Sequence, residues 1–139
     1  MTVASIPDEL NDLFNEPALA HVSYVNRKGQ IVSWPMWVDY DGEHLLISSP
    51  VGSRKGRSFR ERPQVGISLV SPTNQWHWLS VSGRVVDVRP DEDLEFIDRM
   101  SQKYLGSDYQ RRSPREIFTV AIDRATPSSE RLARWSRSR

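Results

Sequence analysis

The sequence predicts a mainly β (α+β) fold, in which six antiparallel strands form a small barrel accompanied by short helices. Short segments of strand character follow one another through turn residues, and such connections suit antiparallel pairs rather than parallel crossovers. Few helical segments separate them, so a parallel α/β sheet is disfavoured. The length of 139 residues fits one domain with a sizeable core. We therefore expect one barrel domain over residues 1–126, followed by a basic tail over residues 127–139.

Three segments carry helix signals. The first begins near Ser5, a suitable N-cap, and should end before Pro17. The second runs from Ser53 to Arg62, because Ser53 is a suitable N-cap and a proline directly follows Arg62. The third, Asp91 to Leu105, spaces its apolar residues at helical intervals and begins with acidic residues that favour a helix N-terminus.

Six segments have the composition of strands: residues 18–25, 30–40, 43–49, 64–70, 76–88 and 116–122. Pro35 cannot donate a ladder hydrogen bond, so the second strand should lie at an edge or contain a bulge. Asp41-Gly42 is a tight-turn signal, and the first three strands are therefore expected to form a meander. Gly83 is the expected bulge of the fifth strand.

Composition excludes several classes of function. The absence of cysteine excludes disulfides, thiolate metal sites and cysteine nucleophiles. No apolar run approaches the roughly 20 residues that span a bilayer, and no signal-peptide pattern opens the chain, so we expect a cytoplasmic protein without a membrane partner. The formal net charge of +1 argues against nucleic acid as a partner. The three histidines stand apart at His21, His44 and His77, so no metal site is predicted.

The segment from Ser48 to Arg60 combines the components of a phosphate site. Ser48, Ser49 and Ser53 supply hydroxyls at a strand end and a helix start. A helix N-terminus contributes free amides and its dipole, Arg54 can contact two oxygens, and Lys55 adds a compact charge. The alternative interpretation is a solvated, amphipathic surface helix.

Three further motifs accompany this segment: S-W-P-M-W-V-D-Y-D-G over residues 33–42, W-L-S-V-S-G-R-V over residues 78–85, and a helix that ends in Tyr104-Leu105-Gly106. Together they resemble the flavin and deazaflavin oxidoreductases of the pyridoxamine 5′-phosphate oxidase-like split β-barrel superfamily. There, the pair that matches Arg54-Lys55 holds the cofactor phosphate. The motif over residues 33–42 is similar to the strand and hairpin along the flavin ring, and the motif over residues 78–85 is similar to a strand from the other subunit. The helix ending fits the actinobacterial branch, which mostly uses the deazaflavin coenzyme F420.

The resemblance covers residues 6 to about 124 and implies a homodimer with a cofactor in each groove between the subunits. It also implies an oxidoreductase that passes a hydride from reduced F420 to a small electrophilic organic substrate. Residues that match the oxidase's FMN-binding arginine and lysine are missing from the second strand, which favours F420 over FMN. The cofactor-binding residues expected from the phosphate-site reasoning and the resemblance are Ser48, Ser49, Ser53, Arg54, Lys55, Arg57, Pro35, Met36, Trp37, Val38 and Trp78.

Other functions stay open at this point. The chain could be an FMN-binding oxidoreductase of the same fold, or a flavin or deazaflavin carrier or sensor without catalysis. A nucleic-acid-binding barrel is the third class, because aromatic strands beside basic residues can stack bases. The C-terminal segment lacks the match with which the oxidase reads pyridoxal phosphate, so pyridoxamine phosphate oxidation is not expected. A proton for the reaction could come from solvent, Tyr104 or Tyr109.

Overall fold

The computed structural model describes residues 5–130, and all of its strand pairs are antiparallel. The strands are β1 (Ala20–Val25), β2 (Ile31–Met36), β3 (Asp39–Tyr40), β4 (Leu45–Pro50), β5 (Gln64–Val70), β6 (Trp78–Pro90) and β7 (Arg115–Pro127). The helices are a 3-10 helix (Asp8–Phe14), α1 (Arg54–Glu61), a second 3-10 helix (Glu92–Leu94) and α2 (Glu95–Leu105). The predicted mainly β, antiparallel split barrel is confirmed, with seven strands instead of six.

The sheet curls because its two edges are joined by a very short link. The strand order is β2-β1-β5-β6-β7-β4-β3, so β2 and β3 lie at opposite edges. Only Trp37 and Val38 separate these two strands in the chain. Since consecutive Cα atoms are about 3.8 Å apart, the ends of β2 and β3 lie within about 12 Å of each other. The edges must therefore approach, as they do in a split barrel.

This topology corrects the expected meander. Residues 30–40 form two strands, of which β2 pairs with β1 and β3 pairs with β4. The strand is interrupted at Val38, whose amide and carbonyl bind side chains of α2 instead of a neighbouring strand. Pro35 lies on the edge strand β2, as predicted.

The helix predictions hold for α1 and need correction elsewhere. Ser53 Oγ accepts a hydrogen bond from the Gly56 amide at 3.0 Å, which confirms the predicted N-cap. The first helix is a 3-10 helix with Pro7 at its N-cap position and no side-chain cap. Ser5 lies three residues before its start, so the predicted N-cap at Ser5 is wrong. The third is divided by a kink at Asp93 and Leu94, both of which have positive φ.

A bulge at Gly83 bends the longest strand pair, as predicted. The register between β6 and β7 shifts between Ser82 and Gly83. A Cβ atom at Gly83 would lie 2.4 Å from the Ala121 carbonyl oxygen, so only glycine permits this approach. β7 continues to Pro127, five residues beyond the predicted strand. The tail from residue 131 onward lies outside the described residues.

Two apolar clusters use opposite faces of β4. Leu45 and Ile47 face the main core inside the barrel. Leu46 instead faces α2 on the outside, where it packs with a second cluster of Phe96, Met100 and Ile117. Because successive side chains alternate along a strand, Ser48 belongs to the face under α2 and Ser49 to the interior. Among the helices within residues 5–130, none is long and apolar enough to cross a membrane.

Candidate functional site

A cleft of about 180 Å³ lies where the amino-terminal parts of α1 and β7 meet α2 and the carboxyl ends of β2 and β4. One end carries hydroxyl and cationic groups, and the rest is apolar or aromatic. Its lining residues are Leu19, Pro35, Met36, Trp37, Ser48, Lys55, Phe96, Ile97, Met100, Tyr109 and Arg115. Such a surface suits a ligand with a planar apolar part and an anionic group.

The polar end is built from three elements. β4 supplies Ser48, α1 supplies Lys55 and β7 supplies Arg115. Arg115 Nε donates a hydrogen bond to Ser48 Oγ at 2.9 Å, and its guanidinium lies 5.1 Å from the centre of the Tyr109 ring. Lys55 Nζ lies 4.9 Å from the centre of the Trp34 ring. Among the described residues, neither cation forms an ion pair with a carboxylate.

The electrostatics of this end favour an anion. Burial lowers the pKa of Lys55, and the nearby positive charge of Arg115 lowers it further. Burial also lowers the pKa of Arg115, although Tyr109 and then the charge of Asp91 act in the opposite direction. Both shifts mean that burial in the cleft disfavours the charged forms. An anion placed between the two cations would relieve their repulsion and replace lost hydration.

Aromatic side chains form the other wall. The Trp37 ring stacks on Tyr104 with centroids 5.1 Å apart and an interplanar angle of 10°. Tyr109 packs edge-on against Trp37 at 5.8 Å. α2 closes the base of the cleft with the buried side chains of Phe96 and Met100. The indole of Trp37 is therefore fixed on two sides and presents a rigid apolar surface.

The structure brings together five of the predicted cofactor-binding residues in this cleft: Pro35, Met36, Trp37, Ser48 and Lys55. Three others, Ser49, Ser53 and Val38, do not line it, and neither does Trp78, which belongs to the strand expected to reach the cleft of the other subunit. Ser49 is buried inside the barrel with its Oγ 2.6 Å from Ser53 Oγ, so these two hydroxyls organise the start of α1. Val38 is buried and bound to α2 through its backbone. The Trp78 amide donates to Ser128 Oγ at 3.2 Å.

Arg54 and Arg57 lie on a different side of α1, in a groove of about 520 Å³. Residues three apart on a helix share a face, which explains why both point there while Lys55 does not. The groove has five cationic residues and one carboxylate, and that carboxylate, Glu61, pairs with Arg27 at 2.8 Å. Its lining residues are Asn26, Arg27, Lys28, Gln30, Arg54, Arg57, Ser58, Glu61 and Arg62.

Sequence reasoning missed the cleft residues contributed by distant parts of the chain. Arg115 is the most consequential, because it supplies the second cation. A local signal was available, since Arg115 immediately precedes the predicted strand and shares one side of it with Ile117 and Thr119. The remaining missed residues are Leu19, Phe96, Ile97 and Met100, whereas Tyr109 was considered only as a proton source.

The two tyrosines considered as proton sources occupy different positions. Tyr104 donates its hydroxyl proton to the Ala18 carbonyl at 2.7 Å and accepts from the Val38 amide at 3.3 Å. Burial raises the pKa of Tyr104. Tyr109 lines the cleft itself. The geometry thus favours Tyr109 over Tyr104 as a phenol that a bound molecule could reach. Within residues 5–130, no group of three or more metal-ligating side chains is present.

The curled antiparallel sheet defines a split-barrel protein. The family model described as pyridoxamine 5′-phosphate oxidase matches residues 6–128. The chain belongs to that family. No curated protein matches the chain.

Solved structures give the same fold. An F420 reductase is 26% identical, with a TM-score of 0.77 over 87% of this chain and 98% of that chain. General Stress Protein 26 from Bacillus anthracis is 14% identical, with a TM-score of 0.63 over 86% and 91% of the two chains. HupZ of Group A Streptococcus is 17% identical, with a TM-score of 0.60 over 88% and 93%. The last two likenesses concern the fold alone.

Proposed function

We propose that this protein is an F420-dependent oxidoreductase that transfers a hydride from the reduced deazaflavin to a small electrophilic organic substrate. The observation that carries the proposal is the pair of half-buried cations, Lys55 and Arg115, at one end of an aromatic cleft. The likeness to an F420 reductase supports the choice of cofactor.

The cleft residues fit the chemistry of such a cofactor. Lys55, Arg115 and the Ser48 hydroxyl would hold the phosphate, because they offer charge-assisted donors and neither cation forms an ion pair with a carboxylate among the described residues. Pro35, Met36 and Trp37 would contact the ring system, in line with the expectation for this strand. The groove with Arg54 and Arg57 would take the anionic tail of F420, which carries more negative charges than FMN.

When bound, the reduced deazaflavin supplies the hydride. The protein's side chains orient the ring and the substrate, hold the phosphate and keep water away from the apolar base of the cleft. No side-chain nucleophile is required. The proton for the reduced substrate would come from solvent or from the Tyr109 hydroxyl, which lines the cleft, since the Tyr104 proton is bound to the Ala18 carbonyl.

The proposal includes a homodimer with the cofactor at the subunit interface. The cleft of one chain, at about 180 Å³, is smaller than the roughly 300–1,000 Å³ of typical ligand sites. Pro35, on the cleft wall, begins a row of cross-strand partners that continues through His21 and Ser68 to Ser80. These side chains are exposed on the outside of the barrel. A partner seated on this row would reach the cleft and close it.

Turnover distinguishes a reductase from a carrier or sensor. Reduced F420 is mixed with the protein and a panel of enones, quinones and nitroaromatics, and cofactor reoxidation is followed by absorbance. We expect oxidation that depends on one substrate class, with the Lys55→Ala variant losing activity because of weaker cofactor binding. Tight binding without turnover of any substrate would instead indicate a carrier or sensor.

A further inference from the structure

Two adjacent side chains of α2 hold the link between β2 and β3. The Val38 amide donates to Tyr104 Oη at 3.3 Å, and Lys103 Nζ donates to the Val38 carbonyl at 3.0 Å. Val38 pairs with no strand residue in the described sheet. α2 therefore takes the place of a neighbouring strand at the position where the barrel splits.

The same two side chains also bind the chain before β1. The Tyr104 hydroxyl donates to the Ala18 carbonyl at 2.7 Å, and Lys103 Nζ donates to the Phe14 carbonyl at 2.9 Å. The two backbone groups that bind the Tyr104 hydroxyl, the Ala18 carbonyl and the Val38 amide, belong to residues that adjoin cleft residues in the chain. Ala18 precedes Leu19 and Val38 follows Trp37, so one oxygen fixes the spacing of two cleft walls.

The Tyr104 ring also packs against Trp37, which forms one wall of the cleft. It stacks on Trp37 at 5.1 Å with an angle of 10° between the planes. The hydroxyl therefore fixes the backbone beside Trp37, while the ring fixes the indole itself. This arrangement leaves Tyr104 no hydroxyl proton to give to a bound molecule.

We propose that Tyr104 is a positioning residue, which sets the distance between Trp37 and Leu19 so that the cleft accepts a planar ring. Lys103 supports this positioning by donating a hydrogen bond to the Val38 carbonyl, while Tyr104 binds the Val38 amide. This inference rests on the proposed function, because the ring that it concerns is that of the deazaflavin. It assigns a role to a part of α2 that lies behind the cleft wall.

The Tyr104→Phe variant keeps the stacked ring and removes the hydroxyl. Its matched control is Tyr40→Phe, since the Tyr40 hydroxyl also donates to a backbone carbonyl, that of Gly42, away from the cleft lining. We expect Tyr104→Phe to bind F420 about five- to tenfold more weakly. Its affinity for inorganic phosphate should stay unchanged, because phosphate needs only Ser48, Lys55 and Arg115. Tyr40→Phe should match the wild type for both ligands.

A readout on the free protein separates this inference from the proposed function. Hydrogen exchange of the Val38 amide should accelerate in Tyr104→Phe and not in Tyr40→Phe. If wild type fails to bind F420, the proposed function fails. The positioning of Val38 by Tyr104 is then judged by exchange alone.

The inference is overturned if Val38 exchange is unaltered in Tyr104→Phe, or if the variant binds F420 as the wild type does. It is also overturned if affinity for F420 and for phosphate falls by the same factor, because that result indicates general unfolding. Should Tyr104→Phe fold poorly, Lys103→Met replaces it, since it removes the bond to the Val38 carbonyl. Lys103→Met should likewise weaken F420 binding selectively.

Discussion

Arg115 Nε donates a 2.9 Å hydrogen bond to Ser48 Oγ, so a cation near the start of β7 and a hydroxyl on β4 form one donor group. The two residues are 67 positions apart in the chain. Antiparallel pairing of β4 with β7 brings them together, and alternation along both strands points them to the side covered by α2. The sheet therefore assembles the polar end of the cleft.

Removing the Arg115 cation should weaken anion binding strongly. Arg115→Met keeps much of the apolar stem, and we expect a loss of about 1.5–3 kcal/mol in binding of F420 or inorganic phosphate, typical of a hydrogen bond to a charged group. Calorimetric titration measures this loss. Arg111→Met is the matched control, because Arg111 does not line the cleft. Equal affinities for the two variants would contradict the assigned anion site.

Affinity for F420 should fall as the pH rises into the alkaline range. Burial, and then Arg115, hold the pKa of Lys55 below the ordinary lysine value of 10.5. An anion prefers the protonated amine, so affinity is greatest below this lowered pKa and falls as the pH rises through it. Titrations from about pH 8 to about pH 10.5 test the sign. The Lys55→Arg variant should lose this dependence, because a guanidinium stays charged across the range.

Part of this site could be predicted from local signals. Ser53 has a side-chain oxygen that caps the helix after it, Gly83 lacks a Cβ at the bulge, and Pro35 lacks an amide hydrogen on its edge strand. Each effect follows from the residue type and its neighbours in the sequence. The helical spacing of Arg54 and Arg57 likewise predicts that they share one face of α1, and both line the same groove.

The remaining features depend on partners that are distant in sequence. The break at Val38 requires Lys103 and Tyr104, which lie 65 and 66 residues further along the chain. Strand alternation predicts that Ser48 and Ser49 point to opposite faces of β4. Which face belongs to the cleft depends on the packing of both faces, one against the barrel core and the other against α2. A pattern along one segment does not contain this information.

The bulge at Gly83 should be essential for stability. Gly83→Ala places a Cβ 2.4 Å from the Ala121 carbonyl oxygen, so the strands must separate locally. We expect a loss of about 1–3 kcal/mol or more in the free energy of unfolding, measured by urea denaturation. Gly66→Ala is the control, because its Cβ would meet only Ser23 Cβ at 4.0 Å. A similar stability for both variants would show that the close approach is tolerated.

The proposed dimer gives a prediction about the outer surface of the barrel. Ser68→Arg introduces a large charge in the row that leads from Pro35 to Ser80, and we expect it to produce monomers with weakened F420 binding. Sedimentation velocity measures the assembly state. Ser113→Arg, on the exposed segment before β7, should leave the dimer intact. A wild-type monomer, or a dimer that survives Ser68→Arg, would place the interface elsewhere or exclude it.

The central claim is that the cleft of Ser48, Lys55 and Arg115 binds the deazaflavin, and parallel fluorescence titrations of the purified apo-protein with F420 and with FMN test it most directly. Trp37 in the cleft wall, and Trp34, whose ring lies against Lys55, should report either ligand. We predict tighter binding of F420, because the groove of Arg54 and Arg57 can hold its longer anionic tail. Tighter binding of FMN, or binding of neither cofactor, would contradict the account.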